Sequence, residues 1–98
     1  MKKNIKPLLE IKHPTGNGIQ KLYRFKNGYG ASVVRNKIGD IYASYTRNEL
    51  EWELAVIKWM GKGIDDFIIC YDTKITYDVI GYLTTKEVEK YLIKIKNI

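Results

Sequence analysis

Residues 19–35, IQKLYRFKNGYGASVVR, predict a β-hairpin. Along the first part of this stretch the side chains alternate, with Lys21 and Tyr23 on one face, as in a strand that is covered on one side. Asn27-Gly28 follows, and this dipeptide is the strongest short signal for a hairpin turn. Residues 29–35 then return as the partner strand, with valines that suit a pleated sheet. We therefore expect an antiparallel sheet built outward from this hairpin.

The sequence on either side of the hairpin adds further strands. Residues 8–13 lie between two prolines, and because proline cannot donate a hydrogen bond into a ladder, they predict a strand at the edge of the sheet. Residues 41–45 follow a Gly-Asp turn and predict the next strand of the meander.

Residues 50–59 alternate between polar and apolar side chains and then become apolar on both sides. Their Glu, Leu and Ala residues also suit a helix. We favour a strand, because Trp52, Leu54 and Val56 recur at every second position and would share one face. Residues 67–71 predict a further, mostly buried strand.

The C-terminal segment predicts the helix of the fold. After residues 73–83, which are irregular or form a short helical turn, Thr84 and Glu87 have the spacing of a capping box. An apolar stripe follows at three- and four-residue spacing, namely Val88, Tyr91, Leu92 and Ile95. The expected fold class is α+β, an antiparallel sheet of about five strands in meander order with a C-terminal helix packed on one face. Residues 1–98 are expected to form a single domain.

Charge is distributed unevenly along the 98 residues. The formal net charge is +6, but residues 1–47 carry ten Lys or Arg and two acids, a balance of +8, whereas residues 48–98 have a balance of −2. Every arginine lies in the first half, and an arginine offers a fork of donors that matches phosphate oxygens. We expect the first half to hold an anion site and the helix to act as support. The alternative is that these are ordinary solvated side chains on strand surfaces.

Few residue patterns here suit catalysis or metal binding. The chain has one histidine, His13, and one cysteine, Cys70, which we interpret as a small buried hydrophobic residue. Glu51 and Glu53 fall on one strand face, where a solvated face is the simpler interpretation. We expect no enzyme activity, no cofactor and no metal. The longest apolar run spans five residues and no signal peptide is indicated, so we expect no membrane association.

Aromatic residues accompany the arginines of the basic half. Aromatic rings stack on bases and arginines bind phosphates, so this combination suits nucleotides or single-stranded nucleic acid. The alternative is that most tyrosines belong to the core, with the hydroxyl at the surface. The predicted ligand-binding residues are Arg24, Tyr29, Arg35, Tyr45 and Arg47.

Three segments resemble a family of small proteins encoded by bacteriophages and prophages: residues 28–35 (GYGASVVR), 52–57 (WELAVI) and 71–84 (YDTKITYDVIGYLT). The last segment departs from the family at Lys74, where members have proline, and at Tyr77, where they have an acid. The function of this family is largely unknown, but small phage proteins of this kind are often accessory factors that blunt host defence. The resemblance therefore implies an immune-evasion role in the cytoplasm of the bacterial host. It brings no catalytic residues.

Three functions remain open at this point. The first is a non-enzymatic anti-defence protein that binds an anionic nucleotide-type ligand through a basic, aromatic sheet face. The second is a protein-binding inhibitor of a host defence nuclease or effector, in the manner of an anti-CRISPR protein, docking by a sheet edge or the helix. The third is a nucleic-acid-binding accessory protein, against which Glu87 and Glu89 stand near the helix start. A homo-oligomer would help so small a domain to enclose a ligand.

Overall fold

The computed structural model describes residues 7–12, 18–38, 41–43, 51–63, 66–70 and 80–98. This part of the chain contains seven strands and one helix. In chain order they are β1 (Leu9–Lys12), β2 (Ile19–Arg24), β3 (Tyr29–Ile38), β4 (Ile41–Ala43), β5 (Trp52–Trp59), β6 (Phe67–Ile69), β7 (Ile80–Leu83) and α1 (Thr85–Lys96).

The strands form a meander in which every pairing within the described ranges is antiparallel. The main order is β1-β2-β3-β5-β6, with β4 paired to β3 and β7 paired to β5. The predicted fold is confirmed: an antiparallel sheet with a C-terminal helix packed on one face. Strand β1 ends this order beside β2, as the two flanking prolines predicted.

Strands β2 and β3 form the predicted hairpin. Their register pairs Arg24 with Gly30 next to the turn and Ile19 with Arg35 at the far end. The turn closes through Gly28, whose amide donates to the Phe25 carbonyl at 3.1 Å and whose φ of 88° suits glycine. The strongest local signal in the sequence therefore gives the element from which the sheet is built.

Alternation along the strands places apolar clusters on two faces of the sheet. On one face, which we call the helix face, a core of strand side chains packs against the buried side of α1. On the opposite face, Leu22, Ile57 and Trp59 form a second, smaller cluster. The members of the first cluster are Tyr23, Ala31, Val33, Trp52, Leu54, Val56, Leu83, Val88, Leu92 and Ile95.

Strand β5 lies deep in the sheet, as its apolar run predicted. It pairs with β3 along one side, whereas β6 and β7 share its other side. Leu54, Val56 and Ile57 have no exposed surface, and Trp52, Leu54 and Val56 do share the helix face. The composition also suits a helix, but as a strand in the middle of the sheet β5 has both of its faces covered by other side chains.

Two predictions about burial, for β6 and for Glu51, are wrong. Strand β6 was expected to be mostly buried, but Ile68 and Ile69 are 52% and 41% exposed, and Cys70 is half-buried. Within the described residues β6 pairs only with β5, so it has the exposure of an edge strand. Glu51 was expected on a solvated face but is only 7% exposed, because it lies at the entry to the buried strand β5.

Residues 73–83 were expected to be irregular or to contain a helical turn. This is wrong for residues 80–83, which form strand β7, whereas residues 73–79 lie outside the described residues. The pairing of β7 with β5 matches Leu83 to Trp52 and Ile80 to Leu54, which leaves a register shift between them. Tyr82 lies in this shift with a φ of 57°, a value that is rare for a bulky side chain. The bulge turns the chain from the sheet edge toward the start of α1.

Helix α1 is held at both ends. At its start, the Glu87 amide donates to Thr84 Oγ1 at 3.3 Å and the Thr84 amide donates to Glu87 Oε1 at 3.0 Å, which confirms the capping box. At its end, Asn27 Nδ2 donates to the carbonyls of Ile95 and Lys96 at 2.9 and 3.2 Å. The helix therefore runs from the β7 end of the sheet to the β2-β3 turn.

We expect Gly30→Ala to destabilise the protein by about 3 kcal/mol, as overpacking does in a close-packed site. A Cβ at Gly30 would overlap the Tyr23 carbonyl oxygen and lie 2.6 Å from Trp59 Nε1. The control is Gly28→Ala, which has open space and costs about 1 kcal/mol through its positive φ alone. Urea unfolding followed by tryptophan fluorescence measures both, and equal losses would contradict the overlap.

We expect acid to weaken the helix cap through Glu87. Hydrogen bonds from the Thr84 backbone and side chain, and then the charge of Lys90, hold the pKa of Glu87 below its ordinary value. A lowered folded-state pKa means that the stabilisation is present at neutral pH and is lost as the pH falls below the ordinary glutamate pKa. Glu87→Gln should flatten the acid limb of the unfolding free energy, and parallel profiles for the two proteins would contradict this.

Candidate anion-binding site

Arg24 and Arg35 lie on opposite faces of the sheet and at opposite ends of the hairpin. Arg24 is next to the turn and shares the face of Leu22, whereas Arg35 pairs with Ile19 at the far end, on the helix face with Tyr23. One small ligand cannot contact both. The structure thus does not bring these two predicted residues together.

On the face opposite the helix, Arg24 is engaged in contacts within the protein. Its Nη1 donates to the Gly61 carbonyl at 2.9 Å, and its Cζ lies 5.2 Å from the centre of the Trp59 ring. Trp59 is fixed in turn by a hydrogen bond from Nε1 to the Tyr23 carbonyl at 2.9 Å and by an edge contact with Phe67. Arg24 therefore ties β2 to the turn between β5 and β6.

Tyr29 lies far from Arg35 although both belong to β3. They are six positions apart, which corresponds to about 20 Å of extended strand. Tyr29 is half-buried against the helix-face core, and Lys58 Nζ lies 5.9 Å from its ring centre. A single nucleotide cannot reach both residues. The other two predicted residues, Tyr45 and Arg47, lie outside the described residues.

A group of cations does converge on the helix face, around Trp52. Arg35 Cζ lies 4.2 Å and Lys21 Nζ lies 4.7 Å from the centre of the Trp52 ring. The separation of the two charged groups therefore cannot exceed the sum of these distances. We call this group the Lys21–Arg35–Trp52 cluster; it joins side chains from β2, β3 and β5.

The Trp52 ring is a rigid support for the two cations. It is only 6% exposed, and its backbone pairs with Leu83 of β7. A ring this buried does not offer a face to a nucleotide base, so stacking on Trp52 is excluded. The cluster can attract and orient an anion, because cations held on a ring keep a fixed position with little further loss of side-chain freedom.

Carboxylates border the cluster on the β1 side. Glu10 Oε1 lies 3.7 Å from Lys21 Nζ in a partly exposed ion pair. Burial, and then the charges of Glu10 and Glu89, raise the pKa of the Tyr23 hydroxyl. An exposed ion pair contributes little, so an incoming anion can replace Glu10 at Lys21.

Sequence reasoning missed Lys21 and Trp52 as members of a site. Lys21 was placed on the face of Tyr23, and Trp52 on the face of Leu54, but nothing local shows that these two faces are the same one. The pairing of Val33 with both Lys21 and Leu54 settles it. Because this pairing joins segments distant in sequence, no local signal could have found it.

Other site classes find no support in the described residues. No group of three or more His, Cys, Asp or Glu side chains in these ranges could hold a metal ion. No helix in the same ranges is both long and apolar enough to span a membrane.

Comparisons with protein-family models, with curated proteins and with solved structures find no match to this chain.

We expect Arg24→Ala to lower the unfolding free energy by about 1 kcal/mol, through loss of its contact with Trp59 and its bond to Gly61. Lys26→Ala is the matched control, because it removes one exposed cation from the adjacent turn. It should change stability by less than about 0.5 kcal/mol. Urea titration of both variants tests the role of Arg24 as a tie between strands, and equal stability of the two would refute it.

Proposed function

We propose that this protein is a non-enzymatic binding protein that holds an anionic, nucleotide-type ligand by its phosphate at the Lys21–Arg35–Trp52 cluster. The observation that carries the proposal is the convergence of two cations on one buried ring. A phosphate that replaces Glu10 at Lys21 would be attracted by both cations at once.

The chemistry of the two cations suits phosphate. A guanidinium contacts an aromatic ring through its face and a phosphate through its edge, so Arg35 can serve both. Lys21 adds a flexible point charge next to it. Because Trp52 is held by the sheet, the cations are positioned before the ligand arrives, which lowers the entropic cost of binding.

Recognition of the base requires a different part of the chain. Trp52 is buried, and Tyr29 is too far from Arg35 to share a mononucleotide with it. Tyr45 and Arg47 stay predicted contributors to base stacking and phosphate binding. An alternative is that the ligand is longer than one nucleotide and spans the face.

The biological setting that we propose is evasion of host defence in the bacterial cytoplasm. It is based on the resemblance of residues 28–35, 52–57 and 71–84 to small phage and prophage proteins. A protein that sequesters a nucleotide signal needs affinity and no chemistry, which fits a surface cluster of cations.

A protein-binding inhibitor is the second candidate. Ile68 of β6 and Met60 after β5 are 52% and 60% exposed, and β6 ends the main strand order of the described residues. An apolar edge of this kind is typical of strand addition by a partner protein. Pull-down from host lysate would recover one dominant protein in this case, and none for a nucleotide-binding protein.

Calorimetry with cyclic dinucleotides and cyclic ADP-ribose isomers at low salt tests the first proposal. We expect Arg35→Gln to weaken binding at least about tenfold, the effect of losing a charge-assisted hydrogen bond. Arg24→Ala removes the same charge from the opposite face and should leave affinity within about twofold. Absence of heat with every nucleotide, or equal losses in both variants, would overturn the proposal.

A further inference from the structure

The solvent side of α1 carries a ridge of lysines. Lys86, Lys90 and Lys94 are all exposed and recur at four-residue spacing. Successive members are therefore separated by about 6 Å along the helix axis and lie on one side of it. The opposite side of the helix is the buried stripe of Val88, Leu92 and Ile95.

The ridge is only partly neutralised by the acids of the helix. Glu87 is engaged by Thr84 in the capping box and lies near Lys90, whose charge acts on it less strongly than Thr84 does. Glu89 is half-buried, and the helical repeat places it on the flank between the ridge and the buried stripe. Like charges four residues apart disfavour a helix. An anion bound along the ridge would remove this cost.

Further cations lie on the same side of the molecule. Helix α1 packs on the helix face and starts next to β7, whose Leu83 pairs with Trp52 of the Lys21–Arg35–Trp52 cluster. The helix ends at Asn27, next to Tyr29 and its contact Lys58. Cations are therefore found at both ends of this face and along the helix between them.

We infer that the helix-bearing side of this protein binds the phosphodiester backbone of a nucleic acid, with Lys86, Lys90 and Lys94 as the main contacts. Nucleic acids carry negative charge at regular intervals, which matches a ridge of regularly spaced lysines, whereas carboxylates on a protein surface have no such period. Contacts of this kind position a strand without reading its sequence. The inference goes beyond the proposed function, since the ridge and the Lys21–Arg35–Trp52 cluster are separate sites on this side of the protein.

Salt dependence of binding tests the ridge. Each lysine that contacts a phosphate steepens the fall of log affinity with the logarithm of the salt concentration by about 0.7–0.9. We expect Lys86→Gln/Lys90→Gln to lower this slope by about 1.5, measured by fluorescence anisotropy with a labelled mixed-sequence oligonucleotide, single-stranded and duplex. Glutamine keeps the helix propensity, and circular dichroism with a urea midpoint verifies the fold.

The matched control is Lys26→Gln/Lys62→Gln, which removes the same net charge from two exposed turn positions. It should leave the slope nearly unchanged. Three results would overturn the inference. They are an equal loss of slope in both double variants, no binding to either oligonucleotide at low salt, and competition by polyglutamate that is as strong as competition by unlabelled oligonucleotide.

Arg35→Gln separates this inference from the proposed function. If the ridge variant weakens oligonucleotide binding and Arg35→Gln weakens neither oligonucleotide nor mononucleotide binding, the ridge stands and the proposed phosphate site fails. If Arg35→Gln weakens nucleotide binding while the ridge variant binds oligonucleotides with an unchanged slope, the site stands and the ridge fails.

Discussion

The two tryptophans of β5 lie on opposite faces of the sheet because they are seven positions apart, and an odd number of positions reverses the side chain in a strand. Trp52 enters the helix-face core and Trp59 anchors the cluster on the other face. Each ring contacts one arginine of the hairpin: Arg35 lies over Trp52 and Arg24 lies over Trp59. The alternation of one strand thus divides the basic residues between two faces.

The contact of Trp59 with the hairpin fixes the relative positions of three strands. Its indole lies over Gly30 of β3, where a side chain would not fit, and donates to the Tyr23 carbonyl of β2. The register between β3 and β5 then places Val33 opposite Leu54, with Trp52 two residues further along. The cation cluster around Trp52 therefore depends on a close approach at the other end of the same strand.

Local patterns predicted the elements of this fold well. The Asn27-Gly28 turn and the Thr84–Glu87 capping box each involve residues a few positions apart, and the structure confirms both. These signals are local because hairpin turns and helix caps are closed by hydrogen bonds between near neighbours. The alternation of β2 assigns its two faces correctly, but Leu22 and Tyr23 are both buried, so the prediction that this strand is covered on one side only is wrong.

Burial and the composition of the site were less predictable, because both depend on pairings between distant segments. The apolar run of β6 resembles a buried strand, yet its place at the end of the main strand order leaves Ile68 exposed. Arg24 and Arg35 looked like members of one basic face, and only the β2-β3 register shows that they diverge. Tyr45 and Arg47 lie outside the described residues, so their part of the predicted site stays a prediction.

The division of charge along the sequence does not correspond to a division in space. The first half holds the excess of +8, which suggested that the site lies there and that the helix only supports it. In the folded chain α1 packs over the face that carries Lys21 and Arg35, so its exposed lysines join these cations on one side. Glu87, which together with Glu89 spoke against a nucleic-acid partner in the sequence, accepts a hydrogen bond from Thr84 in the helix cap. The cations of this side therefore come from both halves of the chain, Lys21 and Arg35 from the first and the helix lysines from the second.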